Sequence, residues 1–78
     1  MSQSKKEQKA EINKIIEIAT IAITKERDAR TFYEQASAKA SGEMSKNIFQ
    51  HLAHQEAEHE ARLVAIIAML EERLASLA

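Results

Sequence analysis

The sequence predicts an all-α protein, an antiparallel two-helix hairpin that dimerises into a four-helix bundle. The 78-residue chain has no proline and one glycine, so few points favour a break in a helix. Its apolar residues recur at steps of three and four, which is the period of a helical face. Hydrophobic residues make up 45% of the chain, and two helices packed only on each other cannot bury that many. The chain is therefore expected to associate with itself.

The first predicted helix runs from about residue 8 to residue 39, after a polar segment, residues 1–7, that we expect to be disordered. A second apolar line lies beside its inner stripe and widens the apolar face beyond the reach of one partner helix. The predicted inner stripe consists of Ile12, Ile15, Ile16, Ala19, Ala22, Ile23, Glu26, Ala29, Arg30, Tyr33, Ala36 and Ala40. The second line consists of Ile18, Ile21 and Phe32.

A short turn is predicted at residues 40–43, around the single glycine. We expect Gly42 to end the first helix in the left-handed conformation. Ser41 or Ser45 would cap the second helix, with Glu43 near its positive end. A connection this short makes the two helices antiparallel neighbours.

The second predicted helix runs from about residue 44 to residue 76. Residues 63–70 are apolar nearly all round, which again favours coverage by other chains. The predicted inner stripe consists of Ile48, Phe49, Leu52, Glu56, His59, Leu63, Ile66, Leu70, Leu74 and Leu77.

Composition argues against several classes of function. The formal net charge is −1, which favours neither nucleic acid nor an anionic membrane as a partner. The chain has no cysteine, which removes disulfides and thiolate metal sites. No apolar run approaches the ~20 residues that span a bilayer. We expect a cytoplasmic protein.

Two polar residues interrupt the stripe of the second helix. Leu52, Glu56, His59 and Leu63 follow one another at steps of four, three and four residues, as one helical face does. An unpaired carboxylate in a core is very costly, so something must compensate for it. A metal ion held by Glu56 and His59 would do so, because a Glu-x-x-His pair can bind one ion.

Glu26 interrupts the stripe of the first helix at the matching height. It lies about 16 residues before the turn and His59 about 17 after it, so at ~1.5 Å per residue both are ~24–26 Å from the turn. Glu26, Glu56 and His59 should therefore face one another. Two chains about a two-fold axis would supply four carboxylates and two imidazoles, which suit two divalent ions. Iron(II) or manganese is favoured, about one ion per chain, and zinc could compete.

Several neighbouring polar residues stay outside this assignment. His51, His54 and Asp28 are expected to be solvated, with a surface metal site or an access path as the alternatives. Glu60 is expected to form a surface salt bridge, and the alternative is that it orients a ligand of a partner chain.

Residues 26–33 and 49–59, with Glu26, Tyr33, Glu56 and His59 in their places, resemble the ferritin-like superfamily. The likeness is to its rubrerythrin-like branch and to the encapsulated ferritins, whose two-helix chains build an iron site between subunits. It implies a ferritin-like four-helix bundle in which Glu26, Glu56 and His59 bind metal. Tyr33 would then be a hydrogen-bond partner or an electron donor near the metal, and a packing aromatic remains the alternative.

The resemblance implies a ferroxidase that oxidises Fe(II) at a site shared between two subunits, for iron storage or detoxification. Two alternatives remain open: a rubrerythrin-like scavenger of peroxide or oxygen, and a non-enzymatic helical hairpin that oligomerises. A homodimer or a higher homo-oligomer is expected. The shell of a protein nanocompartment is a further partner that the resemblance implies, although residues 74–78 show no flexible docking tail.

Overall fold

Two long helices form one antiparallel hairpin, which confirms the predicted all-α fold. The computed structural model describes residues 3–78. Helix α1 spans Lys5–Lys39 and helix α2 spans Glu43–Leu77. The hairpin measures 57 × 20 × 14 Å. It is one layer of helix, whereas a stable domain usually packs two layers around a core.

Helix α1 begins with a side-chain cap. The Ser4 hydroxyl oxygen accepts a hydrogen bond from the backbone N–H of Glu7 at 3.1 Å and lies 3.3 Å from Glu7 Oε1. This cap stabilises the first turn, so the helix begins at Lys5 rather than near residue 8. The segment predicted to be disordered, residues 1–7, overlaps this turn, and residues 1–2 lie outside the described part of the chain.

The turn differs from the prediction in two respects. Gly42 has φ −121° and ψ 152°, which is extended backbone, so the expected left-handed conformation is wrong. Gly42 itself is the N-cap of α2, and no side chain of the described residues caps this end, so Ser41 and Ser45 do not fill that role. Ala40, also extended, ends α1 instead, and its N–H donates to the carbonyl of Ser37. The three residues from Ala40 to Gly42 reverse the chain.

The interior of the hairpin is thin. Its buried apolar residues are Ile12, Ala19, Ile23 and Ala53, and none of the large side chains in residues 3–78 is fully enclosed. Ser37 is buried near the turn, where its hydroxyl donates to the carbonyl of Lys46 at 3.3 Å. This bond ties the end of α1 to the start of α2.

The inner stripe predicted for α2 is partly wrong. Ile48 and Ile66 are exposed, and so is His59. The helix is rotated so that a neighbouring line faces α1, with the small Ala53 at its most buried point. That line consists of Phe49, Ala53, Glu56, Glu60, Leu63, Ile67 and Leu70.

One broad side of the hairpin is apolar and exposed. Contact between His59 and Glu26 shows which side of each helix faces this way, and residues at helical spacing from these two share it. We call this side the front face. Its exposed large hydrophobic residues are Ile15, Ile18, Ile48 and Ile66.

Neither helix, within the residues that the structure describes, has an apolar stretch long enough to cross a membrane.

Candidate metal centre

Three side chains that could bind a metal ion meet at mid-height on the hairpin. Glu26 comes from α1, and Glu56 and His59 come from successive turns of α2. Each offers one donor atom, and these atoms all lie within 4.8 Å of one another. His59 Nδ1 is 3.5 Å from Glu26 Oε2 and 3.8 Å from Glu56 Oε2. Carboxylate oxygen and imidazole nitrogen so arranged can hold one divalent ion.

One oxygen of the Glu26 carboxylate lacks a hydrogen bond within the described chain. This Oε2 atom is buried and makes no hydrogen bond among residues 3–78, although His59 Nδ1 is 3.5 Å from it, and Glu60 Oε1 is a second buried oxygen in the same state. A buried carboxylate oxygen without a hydrogen bond is costly, because it has lost water and is not fully compensated. A cation beside Oε2 would remove that cost, so the donor set fits a metal ion.

The two carboxylates also perturb each other. A hydrogen bond with Glu26, which requires a proton on one of the two groups, raises the pKa of Glu56. Partial loss of water and the negative charge of Glu26 raise it further, while the nearby His59 opposes the shift. The neighbouring Glu26 therefore disfavours the ionised form of Glu56.

Beside this cluster lies a second group of charges, in which Glu60 pairs with two arginines of α1. Glu60 Oε2 is 3.2 Å from Arg27 Nε, and Glu60 Oε1 is 3.4 Å from Arg30 Nη1. Glu60 was expected in a surface salt bridge, but its side chain is only 17% exposed and joins the two helices. The spacing places Glu60 one helical turn after Glu56 and Arg30 one turn after Glu26, but it does not determine which partner each arginine takes.

Tyr33 packs between aromatic rings. It stacks on Phe49 with ring centroids 6.4 Å apart and meets Phe32 edge to face at 5.6 Å. These contacts match the packing interpretation of Tyr33. Two helical turns, or ~10 Å, separate it from Glu26 along α1.

The other polar candidates lie away from the cluster. His54 Nε2 pairs with Glu58 Oε1 at 2.9 Å on the exposed side of α2. His51 and Asp28 are exposed as well. The structure brings none of these three into the group formed by Glu26, Glu56 and His59.

The metal-ligand cluster is open rather than enclosed. The side chain of His59 is 48% exposed, against 25% for Glu26 and 19% for Glu56. A groove of about 620 Å³ runs along another part of the hairpin and is lined by none of the three. Its walls include Arg30, Glu34, Lys46 and His54.

The fold and the cluster together define a helical hairpin whose Glu26, Glu56 and His59 could hold a metal ion. The chain belongs to the Rubrerythrin family, whose family model matches residues 5–77. Searches of curated proteins and of solved structures gave no significant match. Membership supports an iron-related role of the ferritin-like kind, and Glu26, Glu56 and His59 are the residues whose chemistry fits it.

Proposed function

We propose that this chain is a ferroxidase-type di-iron protein that works as a pair of identical subunits. Two sets of Glu26, Glu56 and His59 would face each other across a two-fold axis and bind two Fe(II) ions. The product would be oxidised iron for storage or detoxification. The unsatisfied Oε2 of Glu26, buried within 4.8 Å of a second carboxylate and an imidazole, is the observation that supports this proposal.

The need for a second subunit follows from the number of donors. Three side chains cannot satisfy two metal ions, and ferritin-like sites use two such sets in one bundle. The front face brings the cluster and four exposed hydrophobic residues to one side of the hairpin. A second copy laid on this face would cover those residues and bring its own ligands to the same place.

The substrate in this proposal is iron itself. Each Fe(II) ion loses one electron, and dioxygen takes up two electrons and two protons to give hydrogen peroxide. Where hydrogen peroxide is the oxidant, it takes them up to give two water molecules. The carboxylates favour the higher charge of the product, and His59 at the exposed edge leaves room for the oxidant.

The test is an anaerobic Fe(II) titration followed by exposure to air. We expect saturation near one iron per chain and a new ligand-to-metal absorbance once air is admitted. His59→Ala should lose both, whereas His54→Ala should keep both, because His54 pairs with Glu58 outside the cluster.

Absence of saturable binding in the parent protein would contradict the proposal and leave a non-enzymatic helical hairpin. Repeating the oxidation with limiting hydrogen peroxide separates the two iron-dependent roles. Faster oxidation by peroxide than by air would indicate a scavenger, and the reverse would indicate a ferroxidase.

A further inference from the structure

Glu60, Arg27 and Arg30 form a cluster of charges beside the three candidate metal ligands. Arg30 follows Glu26 by four residues, the spacing at which oppositely charged side chains on a helix usually pair. Here they do not pair. Arg30 Nη1 reaches across to Glu60 Oε1 and lies 3.4 Å from it, as an ion pair rather than a hydrogen bond. Glu26 Oε2 likewise has no hydrogen-bond partner in residues 3–78, and no arginine pairs with it.

We infer that Glu60 keeps the metal-binding carboxylate of Glu26 free by holding Arg30, which would otherwise pair with it. The inference rests on the proposed function and assigns Glu60 a positioning role. An arginine paired with Glu26 would occupy the oxygen that a metal ion needs. By binding Arg27 at 3.2 Å and Arg30 at 3.4 Å, Glu60 offers both cations a different partner.

Glu60 lies between the helices, within reach of both cations. Its side chain is 17% exposed, against 58% for Arg27 and 36% for Arg30, so the two guanidinium groups reach the carboxylate from the surface. Arg27 and Arg30 come from the other helix, and their stems span the interface. The arrangement therefore also joins α1 to α2 beside the ligands, and an experiment must separate that structural effect from the effect on the ligands.

The two arginines differ in their access to Glu26. Residues four apart on a helix are neighbours, whereas adjacent residues point about 100° apart. Arg30 can thus turn back to Glu26, while Arg27 cannot do so as readily. Arg30→Gln and Arg27→Gln, each added to Glu60→Gln, therefore form a matched pair of variants that test which arginine blocks metal binding.

The experiment measures Zn(II) binding by calorimetry, because zinc is redox-inert and its binding does not depend on oxidase activity. We expect Glu60→Gln to bind Zn(II) roughly tenfold more weakly than the parent, as is common when a group that supports metal ligands is lost. Adding Arg30→Gln to Glu60→Gln should return the affinity to near the parent's. Adding Arg27→Gln should not. Glu58→Gln, the same change on the exposed side of α2, is the control and should bind as the parent does.

A purely structural role gives a different pattern. If Glu60 only joined the helices, Glu60→Gln/Arg30→Gln would bind zinc as weakly as Glu60→Gln, and both would melt at lower temperature without metal. That result would overturn the inference, as would parental affinity in Glu60→Gln. Failure of the parent itself to bind Zn(II) and Fe(II) would overturn the inference together with the proposed function.

Glu60→Gln could also fail to fold. Glu60→Asp then takes its place, because it keeps the charge but shortens the reach to both arginines. Weaker zinc binding that Arg30→Gln restores would support the inference. Binding equal to the parent's would contradict it.

Discussion

The raised pKa of Glu56 links the stability of the metal-free protein to pH. The neighbouring Glu26 carboxyl, through a shared hydrogen bond and its charge, raises the Glu56 pKa above its ordinary 4.5. A raised folded-state pKa means that the folded protein holds this proton more tightly than the unfolded chain does. The resulting stabilisation is complete below the ordinary pKa and is lost as pH rises through the raised one.

The raised pKa of Glu56 predicts how the melting temperature of the metal-free protein changes with pH. In chelator, Glu56→Gln should flatten the fall in melting temperature between pH values below 4.5 and neutrality. At neutral pH the variant should melt higher than the parent, because one of two facing charges is gone. Thermal unfolding of both proteins in the same buffers measures the difference, with Glu58→Gln as the control. Parallel profiles for parent and Glu56→Gln would contradict the prediction.

The meeting of Glu26, Glu56 and His59 could be expected from spacing alone, because antiparallel helices joined by a short turn bring equal heights together. That these residues bind iron stays a prediction. The role of Glu60 could not be predicted in the same way. Whether a long arginine reaches its neighbour four residues away or a partner on the other helix depends on helix rotation, which sequence does not fix to within one position.

The rotation of α2 about its axis and the geometry of the turn show the same limit of sequence-based prediction. Apolar periodicity predicted both helices, but several adjacent lines on α2 are apolar, including the one through Ile66 and the one through Ile67. In the structure the line through Ile67 faces α1. On that line the small Ala53 is buried against α1, and Glu60 forms its ion pairs with α1. The conformation of Gly42 was predicted from its residue type, and the extended N-cap geometry overrode that preference.

Gly42 offers a stabilising substitution. Its backbone angles suit any L-residue, nothing lies within 4 Å of an added Cβ, and it supplies no side-chain cap. Gly42→Ser should raise the free energy of unfolding by about 0.5–1 kcal/mol, through a new cap and a less flexible unfolded chain. Ser4→Ala should lower it by about 1 kcal/mol, because Ser4 caps α1. Chemical denaturation at one protein concentration measures both.

A clear loss of stability in Gly42→Ser would show that the turn in solution has a backbone closed to L side chains. Unchanged stability in Ser4→Ala would show that the first turn of α1 frays without affecting the rest of the hairpin.

The hairpin as a whole exposes more large apolar side chains than it buries, and this imbalance predicts where subunits meet. Ile66 lies on the front face seven residues after His59, whereas Val64 is exposed on another side of α2. Ile66→Lys should disrupt the pair, since it buries a charge between subunits, and should weaken Fe(II) binding with it. Val64→Lys should leave the pair intact.

Sedimentation velocity, run with and without Zn(II), gives the oligomeric state of each variant. A pair that survives Ile66→Lys but dissociates in Val64→Lys would place the interface on the wrong side of the hairpin. Metal binding that persists in a monomeric Ile66→Lys protein would show that one chain supplies a complete site.

In the proposed function, the three donors of one chain make only half of a site, so iron binding would depend on the concentration of the protein. When each chain holds half of a site, complete sites form only as fast as chains meet. While most chains are single, halving their concentration lowers the number of complete sites about fourfold. Iron in turn favours the paired state by mass action, so supply of the ion and supply of the protein act on one equilibrium. A few stray subunits would take up almost no iron, and abundant ones would take it up together.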